Sequence, residues 1–185
     1  GNQISVLSAG ASDQRINQLT VNNSAALTVG TTGLGLADEQ SGIFATGNVS
    51  LTTDGAALRI NDAIDVTSDT TSALALTTNN GGVIELAADI TTVGDQTYSG
   101  KSKLIDTSGI LGSPSNVTLT ATGEGTAAGD ISFTDYMTND TGTTQRLTLV
   151  SDGTVSATGA MAIDEVALHG TADYSFANTG NAISV

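Results

Sequence analysis

Asn48-Val49-Ser50-Leu51-Thr52, Asn116-Val117-Thr118-Leu119-Thr120 and Asp130-Ile131-Ser132-Phe133-Thr134 are three versions of one phrase. In each, apolar residues alternate with Ser or Thr at period two, which puts apolar side chains on one face of an extended strand and hydroxyls on the other. The tail of the phrase is an apolar–Thr couplet before a small polar turn. It returns at Leu19-Thr20, Leu27-Thr28, Leu51-Thr52, Leu76-Thr77, Leu119-Thr120 and Leu147-Thr148. Leu27, Leu51 and Leu76 are spaced 24 and 25 residues apart. Short strands recurring at ~20–25 residues indicate a solenoid, in which each coil of chain stacks on the last.

The same alternation occurs at Leu58/Ile60, Leu74/Leu76, Ile84/Leu86, Leu147/Leu149 and Val166/Leu168. Thr, Val and Ile are stiff at χ1 and suit a pleated surface. The one helix-like window, Ala160–His169, is short and lies between Gly159 and Gly170. It reads as two strands around Asp164-Glu165. Turn signals separate the strands: Asp54-Gly55, Asn79-Asn80-Gly81-Gly82, Gly123-Glu124-Gly125, Asn139-Asp140-Thr141-Gly142 and Asp152-Gly153. Hairpins would use similar turns. The strands, however, read as copies of one another and not as complementary partners, which favours parallel stacking of like on like.

Composition narrows the function classes. The chain has 185 residues, enough for one domain with a continuous core, and 38% are hydrophobic, too many for a disordered chain. Aromatics are only 3%, so the expected core is a thin stack of Leu, Ile and Val. Nineteen acidic residues oppose five basic ones (Arg15, Arg59, Lys101, Lys103 and Arg146), a net charge of −14. Nucleic acid and anionic membrane surfaces are disfavoured partners for such a chain. The acids are scattered, as on a solvated polymer kept from sticking laterally. There is no Cys, so disulfide and thiolate chemistry are excluded. No apolar stretch approaches the ~18 residues of a membrane span.

The chain opens Gly1-Asn2-Gln3-Ile4-Ser5-Val6 and closes Gly180-Asn181-Ala182-Ile183-Ser184-Val185. Five of six positions match, which suggests about one period of a tandem array. Without a start Met or an export signal the chain reads as an excised or mature segment. With no capping helix its ends are expected to be uncapped and to continue into neighbours.

Ile90-Thr91-Thr92-Val93-Gly94-Asp95-Gln96-Thr97-Tyr98-Ser99-Gly100 resembles a phrase of the large repetitive bacterial surface proteins of the filamentous haemagglutinin-like class. In that class the phrase is followed by strands like those at 116–120 and 146–157. The resemblance covers residues 85–185 well and the first half loosely. It implies a right-handed parallel β-helix in an exported adhesin or surface filament, and no fixed binding residues. Lys101-Ser102-Lys103 departs from the neutral strand start of the class, and its secretion motifs are absent here.

Each motif with chemical potential has a plainer reading. Gly100-Lys101-Ser102 ends like a phosphate loop, but Gly94 lies one residue too far away and no helix follows. Gly123-x-Gly125-x-x-x-Gly129 misses the dinucleotide spacing by one. His169 is the only histidine and reads as a solvated strand end, so a Ser–His–acid triad must use it or none. The stronger rival is a carbohydrate-active β-helix enzyme with carboxylates stacked one coil apart. Its candidate acids are Asp62/Asp65/Asp69, Asp89/Asp95, Asp135/Asp140 and Asp164/Glu165. Against it, Tyr98, Tyr136 and Tyr174 are the only tyrosines and Trp is missing, so sugar platforms are scarce. Calcium at Asp-rich corners stays open, although Gly81-Gly82-Val83-Ile84 lacks the β-roll pattern. An ice- or crystal-binding face would need ranked Thr-x-Thr, and Thr118-x-Thr120 beside Thr46-Gly47-Asn48 makes the ranks look irregular. The sequons at Asn22, Asn48, Asn116 and Asn139 follow from composition.

The expectation is therefore an all-β, right-handed parallel β-helix of about eight coils over 1–185. Its expected role is a stiff, acidic, Thr-rich repeat of an extracellular bacterial adhesin or surface filament, without enzymatic activity or cofactor. Expected partners are neighbouring copies end to end and glycans or other cell surfaces. A β-sandwich adhesin module is a third alternative.

Overall fold

The computed structural model describes residues 3–30, 42–67, 71–106, 115–124, 127–140, 144–177, 180 and 182–183. Its regular structure is all strand. In chain order the strands are β1 (Val6–Leu7), β2 (Leu19–Asn23), β3 (Leu27–Val29), β4 (Ile43–Ala45), β5 (Val49–Asp54), β6 (Leu58–Ile60) and β7 (Ile64–Val66). They continue as β8 (Leu74–Asn79), β9 (Val83–Leu86), β10 (Ile90–Thr92), β11 (Gln96–Ser99), β12 (Lys101–Leu104), β13 (Ser115–Ala121) and β14 (Ile131–Phe133). The last are β15 (Met137–Thr138), β16 (Gln145–Ser151), β17 (Thr154–Ala157), β18 (Met161–Ile163), β19 (Glu165–Gly170), β20 (Asp173–Phe176) and β21 (Ala182–Ile183). The Ala160–His169 window is two strands, β18 and β19, parted at Asp164 as the alternation indicated.

The strands form three sheets. One has eight strands (β1-β3-β6-β9-β12-β15-β18-β21), one six (β4-β7-β10-β13-β16-β19) and one seven (β2-β5-β8-β11-β14-β17-β20). The strand pairings between coils are parallel in all three sheets. From β2 onward the chain visits the sheets in rotation, and each strand pairs with the one three places later. This is a parallel β-solenoid, and the antiparallel sandwich is not what the chain builds. On the first coil the irregular segment around Ala9 and Ile16 stands in for a strand of the six-stranded sheet, bridging to Ile43 and Ala45.

Period-two alternation supplies the core. Inward residues stack on their like one coil away: Ile43, Ile64 and Ile90; Leu51 and Leu76; Leu119 and Leu149; Met137 and Met161. All of these are buried. Tyr98 stacks on Phe133 with ring centroids 4.8 Å apart and an interplanar angle of 16°. This arrangement buries two of the six aromatic residues and leaves the outer face of each strand free of packing demands.

The Ile90–Gly100 phrase is a corner with a polar interior. Thr92, Gln96 and Tyr98 are all buried. Gln96 Nε2 donates to the Thr120 carbonyl on the next coil at 2.7 Å, and the Tyr98 hydroxyl donates to Gln96 Oε1 at 2.7 Å. Burial pushes the Tyr98 phenol well above its ordinary pKa, so it stays protonated and donating. Where the seven-stranded sheet turns into the eight-stranded one, Thr53 and Thr78 hydroxyls donate to corner carbonyls of Ala56 and Gly82. The next residue in that column is Gly100, at φ +122°, where a Cβ would strike Thr78.

The repeat differs from its sequence reading in one respect. Leu51 does pair with Leu76, but Leu27 pairs with Leu58 and belongs to the eight-stranded sheet. The spacing from Leu27 to Leu51 is a passage between sheets and not a coil. The five-residue phrase likewise serves two sheets, as β5 and β14 in one and β13 in another. Coil length also varies, from 18 residues (Ile84 to Ser102) to 35 (Ser102 to Met137), because corners absorb insertions that strands cannot.

Val6 of the opening phrase and Ala182–Ile183 of the closing one lie at opposite edges of the eight-stranded sheet. They stand out of phase. Val6 aligns with outward Thr28, and Ile4 and Val6 are exposed, whereas Ile183 aligns with buried Ile163. A shift of one residue separates the two settings.

Candidate functional site

The candidate site is the outer surface of the seven-stranded sheet. On β5 the outward residues are Ser50 and Thr52, flanking inward Leu51; on β11 they are Thr97 and Ser99, flanking inward Tyr98. Register ranks these pairs into two columns. The first is Thr20, Ser50, Ala75, Thr97, Ser132, Ser156 and Ser175. The second begins Asn22, Thr52, Thr77 and Ser99. Thr134 continues it by donating its N–H to the Tyr98 carbonyl, and Thr158 by donating its own to that of Phe133. Along a strand the columns are ~7 Å apart, and coils repeat at ~4.8 Å. The result is a two-column grid of hydroxyls in which Ala75, Asn22 and Ala177, whose N–H donates to the Ala157 carbonyl at the end of the second column, are the exceptions.

No charged side chain stands in either column. Asp54 and Asp173 lie at strand ends, outside them. Along the margin where the seven-stranded sheet begins runs an open trough of about 580 Å³ lined by Asn17, Gln18, Thr46, Gly47, Asn48 and Ser72, all uncharged. Thr71 connects it to a smaller hollow of about 130 Å³ that reaches Asp95. Asn48 Oδ1 accepts the Ala73 N–H at 2.9 Å. That bond fixes the amide with its oxygen toward the backbone and leaves the NH₂ as the available donor.

The carboxylates expected as a catalytic set do not converge. Asp95 Oδ1 accepts the Asp130 N–H at 3.0 Å, and Asp130 Oδ1 accepts the Thr154 N–H at 2.6 Å, so each stitches its corner to the next coil. Asp89 does the same for Thr118, and Asp164 ties back to the Gln145 N–H on the preceding coil. Asp135 accepts from the neighbouring Tyr136 N–H, and Asp62 stands against Gly30. Asp69 and Gly125 lie outside the described residues. Asp152, not singled out from sequence, accepts N–H bonds from Gly129 and Gly123, which hold its carboxyl below the usual range. Among the described residues no three His, Asp or Glu gather closely enough for a metal. His169 is exposed at the end of β19, and Lys101-Ser102 begins strand β12 and no helix.

All five cations make contacts across coils, and none lies on the seven-stranded sheet. Arg15 pairs with Asp65 at 2.7 Å, Arg59 with Glu85 at 2.6 Å, Lys103 with Asp140 at 2.8 Å, and Arg146 with Glu165. Lys101 sits 5.3 Å over the Tyr136 ring. Arg15 also donates to the Asp65 carbonyl at 3.1 Å. Burial alone would raise the Asp65 pKa, but hydrogen bonds from Arg15 and Thr67 hold it below the ordinary carboxylate value.

The Thr ranks are thus more regular than the sequence reading allowed. Thr118 and Thr120, which looked irregular, belong to the six-stranded sheet. The telling signal was the hydroxyl–apolar–hydroxyl triplet at 50–52, 97–99, 132–134 and 156–158, with Ser standing in for Thr. Compared with known protein families, curated proteins and solved structures, the chain matches none.

Proposed function

We propose that this chain is a structural repeat of an extracellular bacterial adhesin or surface filament, a stiff acidic rod of about eight right-handed coils joined end to end to its neighbours. The observation that carries the reading is the continuous parallel pairing of three sheets along one axis. Each internal coil is hydrogen-bonded above and below, so stiffness accumulates with coil number while each contact stays weak. Corner acids tie coil to coil, cations bridge coils, and the remaining negative charge keeps neighbouring rods apart. In this reading the rod displays a surface and catalyses nothing. Antibodies raised against the segment should label intact, unpermeabilised cells along extended structures. Labelling that appears only after lysis would refute the extracellular role.

A further inference from the structure

We propose that the outer face of the seven-stranded sheet, with its marginal trough, binds a neutral polysaccharide laid along the solenoid axis. The inference deepens the adhesive side of the proposed function, and it rests on the face itself and not on the route by which the rod reaches a surface. Three observations support it. First, the two columns are free of charge in a chain of net charge −14: Asp54, Asp95, Asp130 and Asp173 stand at the strand ends that border them, and every cation–acid pair among the described residues is on the other two sheets. Scattered charge would be expected to reach a face held only by solvent. A charge-free face suits a partner that is itself uncharged, because an unpaired charge buried against a sugar costs more than a hydroxyl. Second, each coil from β2 to β20 contributes at least one hydroxyl to the two columns, a periodic array that fits a polymer of repeated hydroxyls. Those of Thr134 and Thr158 donate to backbone carbonyls, and the others are not so engaged among the described residues. Third, the trough adds amides along the same margin, with the Asn48 NH₂ turned outward by its bond to Ala73.

Ice presents another neutral, periodic hydroxyl lattice. The face favours the sugar because Ser occupies five of its positions (Ser50, Ser99, Ser132, Ser156, Ser175). Ser lacks the methyl that stiffens Thr at χ1. Mobile hydroxyls adapt to a polyol and hold a fixed lattice poorly.

The experiment is co-sedimentation of the chain with microcrystalline cellulose and affinity electrophoresis in mannan, with polygalacturonate as the acidic comparison and thermal hysteresis as the ice measurement. Binding to at least one neutral glycan is expected, unchanged by salt. Thr77→Lys places a charge in the second column and should weaken binding about tenfold. Ala162→Lys adds the same charge on the exposed face of β18, in the eight-stranded sheet, and should leave binding unchanged. Asn48→Asp keeps the acceptor for Ala73, as Asp95 and Asp130 do at their corners, but removes the outward donor. It should weaken binding about fivefold, one hydrogen bond's worth, at an unchanged melting temperature. No binding to either neutral glycan at millimolar sites, preference for polygalacturonate, thermal hysteresis without glycan binding, or equal loss in Thr77→Lys and Ala162→Lys would each overturn the proposal. Cell-surface labelling is independent of these outcomes, so the display role and the sugar face can fail separately.

Discussion

The eight-stranded and seven-stranded sheets share one interior and have unlike exteriors. Inward, both present stacked, buried apolar residues: Leu, Ile, Val and Met in the eight-stranded sheet, and Leu, Ile, Val and the Tyr98–Phe133 pair in the seven-stranded one. Outward, the eight-stranded sheet carries Arg59, Glu85, Lys101 and Lys103, tied across coils by ion pairs and a cation–ring contact. The seven-stranded sheet carries ranked Ser and Thr and no charge between its margins. The difference shows how a solenoid divides its labour. Period two lets the inner half of each strand hold the fold, so the outer half is free to differ from sheet to sheet.

That division can be broken most forcefully from inside. Phe133→Ala removes a ring stacked on Tyr98 behind the hydroxyl face and should cost about 3–5 kcal/mol in denaturant unfolding. Its outward neighbour Ser132→Ala should change stability by less than about 0.5 kcal/mol. Equal effects would mean that the outer face also holds the fold. A smaller effect is expected on the charged side. Arg59→Gln exposes Glu85 and should cost about 0.2–1 kcal/mol at low salt, a loss that shrinks as salt is added.

Acid sharpens the contrast further. Asp65 and Asp152 have folded pKa values below the ordinary one, so they contribute stability above the unfolded value of about 3.9 and lose it as pH falls through their folded values. Melting temperature should therefore be level from neutral pH to about 5 and decline below about 4. Asp65→Asn should flatten that acid limb, whereas Ser132→Ala should leave it unchanged. An identical acid limb in Asp65→Asn would show that its pairing with Arg15 contributes nothing to the fold.

Much of this architecture was legible in the sequence. Alternation at Val49/Leu51, Leu58/Ile60 and Ile131/Phe133 identified inward residues, and the break at Asp164 was visible in the glycine-bounded window around it. What could not be read was which strand lies on which. All three sheets use the same alternation, so Leu27 and Leu51 look like successive coils although they belong to different sheets. Corner insertions, as between β12 and β13, break the spacing that would otherwise give register. The hydroxyl columns were hidden for the same reason: Ser132 and Thr97 become neighbours only once that register is known. The acids misled in another way. Asp95 and Asp130 do fall on successive coils, but each carboxylate is spent on a backbone N–H of the coil above.

In all four ion pairs among the described residues the base precedes the acid along the chain: Arg15 before Asp65, Arg59 before Glu85, Lys103 before Asp140, Arg146 before Glu165. Winding is consequently directional. A thread emerging N-terminus first leaves an unsatisfied positive hook at its advancing rim, and the layer that follows delivers the negative eye. Threaded the other way, the eyes come first and wait among many other negative groups, a less discriminating latch.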